Sequence, residues 1–172
     1  MSLTTRVLDP AAARDAMPAL VDILVSCVAG GASVGFMNPF APEEARAWWR
    51  GVIDDLEADR LALVAAERDG RIFGTAQLHP CAKPNQPHRG DVAKVLVHAS
   101  ARRQGIGEAL MAEIDAEARR RGLSLLTLDT VTGSPASHMY QKAGWIRVGD
   151  IPDYALWPDG GFCSTTIFYK RL

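Results

Sequence analysis

Apolar positions along this 172-residue chain recur in two different periods, and the switches between them outline its elements. Leu20, Ile23, Leu24 and Cys27 fall at helical spacing. They predict a helix that begins near Asp15, a capping residue type, and ends at Gly30-Gly31. Trp48, Val52, Ile53 and Leu56 repeat the same spacing, with Pro42, Glu43 and Glu44 as the first turn of a second helix. LALVAAE and RIFGTAQLH instead flank Asp69-Gly70 and read as a hairpin, because Asp-Gly supplies the positive φ angles of a two-residue turn. Residues 3–8 predict a short strand, 80–90 a proline-bearing loop, 91–98 a strand, 105–121 a helix closed by Gly122, and 124–130 another strand. Ser134 as cap, Pro135 in the first helical position and Gly144 as stop bracket a short helix. The tail, WIRVGDIPDYAL, PDGG and CSTTIFYKR, predicts a second hairpin.

The resulting order is β, α, α, β, β, β, α, β, α, β, β. It predicts an α/β fold, a mixed sheet of about seven strands with four helices on its two faces, in one domain over residues 1–172. The strand-helix-strand unit over 91–130 implies a parallel pair by the crossover rule. A hydrophobic content of 48% is enough for a sizeable core, and a net charge of -1 leaves no global basic field for a nucleic-acid partner. Cys27, Cys81 and Cys163 form no CxxC pair and fit reduced thiols better than a disulfide framework. No apolar stretch approaches the roughly 18 residues of a membrane span, and MSLTTRVLDP lacks the apolar stretch of a signal peptide. The expectation is a soluble, cytoplasmic protein with no membrane partner.

Chemistry concentrates in ASARRQGIG, residues 99–107, between the apolar run KVLV and a helix. Two arginines, two glycines and a fresh helix N-terminus point to an anion site, since the first amides of a helix lack intrahelical acceptors and carry the positive end of its dipole. A bare helix start with a tight reversal would need no ligand. A dinucleotide fingerprint gains from Asp129, about 20 residues on, but places Leu110 where a small residue is wanted. A nucleotide P-loop lacks its GKS or GKT.

Arg102-Arg103-Gln104-Gly105-Ile106-Gly107 matches the Arg/Gln-x-x-Gly-x-Gly/Ala signature and resembles the Gcn5-related N-acetyltransferase (GNAT) superfamily. The later stretch from Ser134 to Trp145, SPASHMYQKAGW, resembles that family's Asn-x-x-Ala-x-x-aliphatic-Tyr-x-x-x-Gly-Phe, with Ser134 in place of Asn. GGASVGFM, AKPN, SARRQGIG, LDT followed by GS, and PDYALWPDG look most like the tabtoxin-resistance branch of the superfamily, whose acceptor is an amino-acid-like β-lactam. The resemblance implies transfer of an acetyl group from acetyl-CoA, as cosubstrate, to a primary amine of a small molecule. A toxin or antibiotic is one such acceptor, and a homodimer is the family-level expectation.

The resemblance implies roles residue by residue. Arg102, Arg103, Gln104, Gly105, Ile106 and Gly107 would hold the pyrophosphate, Val95, Leu96 and Val97 would pair with pantetheine through their main chain, and Ser134 would make a further cofactor contact. Tyr140 suits the general acid, since a phenol with pKa near 10 stays protonated at neutral pH and can donate to a departing thiolate. Asp91 and Asp129, at the start and end of neighbouring strands, are both candidates for the base. An Asp near 3.9 facing an amine near 8 to 10 is mismatched by about 4 to 6 pKa units, which favours a water relay over direct transfer. Ser33, Phe36, Tyr154 and Trp157 are the acceptor-pocket candidates. His79, Cys81 and His88 match no tetrahedral metal spacing, so no metal is expected. Arg119-Arg120-Arg121 reads as a cation-friendly helix C-terminus, and Trp48-Trp49 as helix packing. A non-catalytic acyl-CoA sensor or ligand-sequestering protein is the alternative class.

Overall fold

The computed structural model describes residues 3–172. Its seven strands form one sheet in the order β1-β2-β3-β4-β5-β7-β6. β1 (Leu3–Leu8), β2 (Ala62–Arg68), β3 (Arg71–Pro80) and β4 (Arg89–Val97) run antiparallel in sequence, then β4 pairs in parallel with β5 (Leu125–Val131). β7 (Phe162–Arg171) lies antiparallel between β5 and the edge strand β6 (Ile146–Leu156). The β2–β3 turn has Asp69 at φ 52° and Gly70 at φ 77°, as an Asp-Gly hairpin requires.

Five α-helices cover the sheet, one more than expected. The difference lies at the start. α1 (Pro10–Asp15) is capped by Asp9, whose carboxylate accepts from the Ala12 amide at 2.7 Å, and α2 (Met17–Ala29) begins after a break at Ala16. Asp15 is therefore the end of α1 and not a cap. Pro18 explains the break: it has no N–H, and its ring would clash with the carbonyl four residues back if one helix ran through. α3 (Pro42–Glu57) starts as expected, with the Glu44 carboxylate accepting from the Ala41 amide at 2.9 Å. α4 (Ile106–Arg120) and α5 (Pro135–Lys142) complete the set, and the predicted boundaries elsewhere hold to within a residue or two.

Two cores sandwich the sheet. Leu20, Leu24 and Trp49 of α2 and α3 pack with Leu63, Ala65 and Leu96 on one face. Ile106, Leu110 and Ile114 of α4 pack with Val64, Ala76, Leu126 and Phe168 on the other. Burial of these side chains, at about 1.5–3 kcal/mol each for the larger ones, holds the strands that frame the site. No described helix is long and apolar enough to cross a membrane.

Candidate active site

The site begins where the sheet comes apart. β4 and β5 pair only at Arg89↔Leu125, Gly90↔Leu126 and Asp91↔Thr127. Beyond Asp91 the two strands diverge, so Val92–Val97 keep β3 on one side and have no strand on the other. A bulge lies in the same stretch, since Ala93 pairs with Gln77 and Leu96 with Thr75, leaving Lys94 and Val95 opposite Ala76. Bulges bend the strand that carries them, and this one turns the end of β4 away from β5. The stretch Val95–Val97 has no strand partner on its gap side, although the Leu96 carbonyl points toward Gly74 of β3 and the Val97 carbonyl already accepts from Cys27 Sγ and Arg102 Nε, both at 3.5 Å.

Past a 3-10 turn at Ala99–Ala101, Gly105 stands before α4 with φ 78° and no side-chain cap. Its carbonyl takes the Ala109 amide at 3.0 Å, so the amides of Ile106, Gly107 and Glu108 have no helical acceptor. Ile106, buried to 1% exposure, pins this turn to the core. The side chains around it divide. Arg102 lies against the Val97 carbonyl and Gly30, and Gln104 accepts from Arg68 Nη1 at 2.6 Å while donating to the Ser100 carbonyl at 3.3 Å. Arg103, at φ 58°, is exposed and makes no ion pair or side-chain hydrogen bond among the described residues. Gly107 is set by packing: a Cβ there would lie 2.6 Å from Met139 Sδ of α5. Gly105 has open space where a Cβ would go, and its positive φ is what demands glycine.

On the far side of the gap, Tyr140 of α5 is 4% exposed, with Trp145 and Phe168 rings both 6.1 Å away. Burial pushes its phenol above the ordinary tyrosine value, and the Asp129 charge adds to the shift. The two aspartates differ. Asp91 forms an ion pair with Arg89 and accepts from Thr127 Oγ1, while Arg89 also donates to Thr127 Oγ1 at 3.0 Å. Asp129 is exposed and accepts one hydrogen bond from Thr165 Oγ1 at 2.8 Å. Ser134 spends its hydroxyl on the α5 cap, accepting from the Ser137 amide at 3.2 Å.

A long-range clasp joins the loop after α2 to the last hairpin. Ser33 Oγ donates to the Leu156 carbonyl at 2.8 Å, the Asn38 amide to the Pro158 carbonyl at 2.9 Å, and Asn38 Nδ2 to Asp159 Oδ1 at 2.8 Å. The loop after α2 is thus fastened to the β6–β7 turn. Phe36 turns inward, 4.6 Å from the Phe40 ring and 5.5 Å from Trp48. Tyr154 and Trp157 remain exposed at 53% and 39%. Trp48 also borders a cleft of about 480 Å³ lined by Gln77, His79 and Asp55. His79 bonds to Gln77 Oε1 at 3.0 Å, and Cys81 lies 3.3 Å from Arg89 Nη2, so these two serve separate polar networks. Sequence reasoning missed Arg89, Thr127, Thr165, Asn38 and Lys94. Strand alternation could have found Thr127, which lies two residues before Asp129 on the same face.

A mixed sheet split between two parallel strands, beside an uncapped helix N-terminus, defines the acyl-CoA N-acyltransferase class of fold. The chain belongs to the acetyltransferase (GNAT) family, whose model matches residues 21–145. An uncharacterized N-acetyltransferase of Azospirillum brasilense is 32% identical over 112 residues, 64% of this chain and 65% of that protein. An amino-acid acetyltransferase of Ralstonia nicotianae is 35% identical over 101 residues, 57% of this chain and 21% of that protein. The chain therefore spans less than two thirds of the length of these curated relatives. Among solved structures, yncA of Salmonella typhimurium with its cofactor acetyl-CoA superposes with a TM-score of 0.79 at 18% identity, covering 100% of this chain and 95% of that one.

Proposed function

We propose that the protein moves the acetyl group of acetyl-CoA to a primary amine of a small amino-acid-like molecule, by direct attack in a ternary complex. The observation that carries this reading is the gap between β4 and β5, which leaves the β4 main chain open next to the unpaired amides of α4. These groups fit the cosubstrate. The free edge of Val95–Val97 can pair with the pantetheine amides as an added strand would, and the amides of Ile106, Gly107 and Glu108, with Arg103, can take the pyrophosphate. Arg102, held at the Val97 carbonyl, supports the turn from beneath.

Tyr140 holds a proton at its phenol across the neutral range and donates it to the departing sulfur. Asp129, the less engaged of the two carboxylates, attracts the acceptor ammonium and passes its proton through water. Asp91, tied to Arg89 and Thr127, orients that end of the gap. The clasped loop and hairpin, with Ser33 in the clasp, Phe36 inside and Tyr154 and Trp157 at the rim, form the acceptor's outer wall. The amino-acid acetyltransferase relative and the resemblance to the tabtoxin-resistance branch support an amino-acid-like acceptor, with a β-lactam toxin or antibiotic as one form. Free Cys27, Cys81 and Cys163 support a reducing, cytoplasmic setting. The exposed apolar side chains of Ile146, Val148 and Ile151 on the edge strand β6, with Phe162 at the start of β7, support a homodimer.

Calorimetry with acetyl-CoA, followed by thiol release with a panel of amino acids, dipeptides and amine antibiotics, tests the reading. Binding with turnover is expected. Binding without release from any amine would favour the sensor or sequestering alternative, and no binding by folded protein would remove the assignment.

A further inference from the structure

Lys94 is a side chain beside the gap whose chemistry the proposed reaction leaves unused. It sits in the β4 bulge at φ 50°, a left-handed conformation that a residue with a side chain adopts at a cost in strain. The bulge aims its ammonium at the α2–α3 side of the sheet. There Nζ lies 5.9 Å from the Phe36 ring centroid and 5.7 Å from that of Trp48, and an added Cβ on Gly35 would be 3.6 Å away. Lys94 makes no ion pair and no side-chain hydrogen bond among the described residues, although the charge of Asp129 acts on it. Asp91 is taken by Arg89, and Asp129 accepts from Thr165. Burial pushes the ammonium down from the ordinary lysine value, with the Asp129 charge acting the other way. Aromatic faces replace only part of the hydration that a half-buried ammonium gives up.

A strained backbone that directs a cation without a charged partner against the Phe36 and Trp48 rings calls for an anion. The phosphates of the cosubstrate are placed elsewhere by the proposed reading, beyond Val97 at the start of α4, which packs on the opposite face of the sheet. We propose that Lys94 is a specificity residue that pairs with a carboxylate of the acceptor, so that the protein takes amino acids carrying a free acid group and rejects their neutral and polycationic counterparts. This inference rests on the acetyl-transfer reading. The Phe36 and Trp48 rings beside the ammonium would screen the pair from water, which strengthens the charge-assisted hydrogen bond. An acceptor held by its acid group beside Val95 presents its amine toward the gap, where Asp129 has an oxygen available. A polyamine would instead bring like charge against Lys94.

The test compares L-amino acids with their own α-amides, which keep the amine, by thiol release from acetyl-CoA in wild type, K94M and K94R. Wild type should prefer the acid. K94M, which keeps the unbranched stem, should lose about 10- to 100-fold in kcat/KM on acids through KM, and little on amides. K94R should recover part of the loss. Rates are expressed per concentration of free amine, and the change in the acid-to-amide ratio between wild type and variant cancels the intrinsic difference in amine basicity. Equal losses on both series would overturn the proposal and assign Lys94 to the thioester or to structure. Wild-type preference for amides or polyamines would overturn it as well. If no amine releases thiol, the acetyl-transfer reading fails and Lys94 is judged by calorimetry: N-acetyl-L-amino acids and their amides are titrated into CoA-loaded wild type and K94M. Acid-selective heat lost in K94M supports the pairing, and absent or equal heat overturns it.

Discussion

The two glycines of the α4 turn occupy equivalent places in the motif but answer to different forces, and a double-mutant cycle separates them. Gly107→Ala puts a Cβ 2.6 Å from Met139 Sδ and 3.4 Å from Met139 Cε, inside contact distance. Overpacking costs about 1–3 kcal/mol, and a flexible thioether on a half-buried residue places this case near 1 kcal/mol. In a Met139→Ala background the clash is gone, and alanine in place of helical glycine should instead stabilise by up to about 1 kcal/mol. The change of sign predicts a coupling of about 1–2 kcal/mol between positions 107 and 139, measurable by denaturant melts of the four proteins. Gly105→Ala meets no atom within 4 Å, so its cost is the left-handed backbone alone, about 1–2 kcal/mol. For a domain of this size that lowers the thermal midpoint by about 2–8 °C. Acetyl-CoA affinity should fall in Gly105→Ala and recover in Gly107→Ala/Met139→Ala to that of Met139→Ala. Zero coupling, or an undiminished loss of affinity in the double variant, would refute the division of roles.

Tyr140→Phe keeps the ring contacts with Trp145 and Phe168 and removes a hydroxyl that has no protein partner among the described residues. Turnover should drop by about 10²-fold or more with acetyl-CoA binding unchanged, and wild-type rates would end its role as the acid. Asn38→Ala opens the clasp to Asp159, so the acceptor KM should rise severalfold and hydrogen exchange of residues 31–38 should accelerate while acetyl-CoA affinity stays constant. Exchange as slow as wild type would mean the clasp holds nothing. Burial pushes His79 below 6.5 in the folded protein, with Asp55 and Asp91 opposing the shift and Lys94 adding to it. The unfolded chain therefore takes up the proton first, and stability should fall as pH drops from about 6.5 toward the lower folded value. The wild-type minus His79→Gln difference in melting midpoint should carry that slope, and a flat difference would contradict the burial.

What the sequence made legible was local. The Asp69-Gly70 hairpin, the Pro42 helix start and the Ser134-Pro135 cap each depend on contacts within a few residues, and each appears where its residues predicted. The helix expected from Asp15 begins instead at Met17, and α1 before it, PAAARD, is too short to show a helical period. The gap between β4 and β5 has no such signature. It arises because Lys94 and Val95 together oppose a single residue of β3, and a bulge leaves the hydrophobic pattern of VAKVLV unchanged. The clasp was equally hidden, since Ser33 and Leu156 are 123 residues apart and the bond engages a carbonyl, which every residue has.

Arg102 and Arg103 show how the fold separates two residues that a motif match treats alike. The spacing Arg-x-x-Gly-x-Gly constrains the backbone, and both arginines read equally well as anion ligands. The backbone then separates them: Arg102 is extended at φ -66° and ψ 155°, and Arg103 is left-handed at φ 58°. Arg102 lies against the Val97 carbonyl and Gly30, where its charge braces β4 against the end of α2. Arg103 is left exposed beside the amides that open α4. The same turn thus carries one structural and one available guanidinium, so Arg102→Ala should weaken the β4 edge and Arg103→Ala the grip on phosphate alone. A calorimetric titration in which both substitutions cost equal acetyl-CoA affinity with equal stability would show that the motif's chemistry outweighs its geometry.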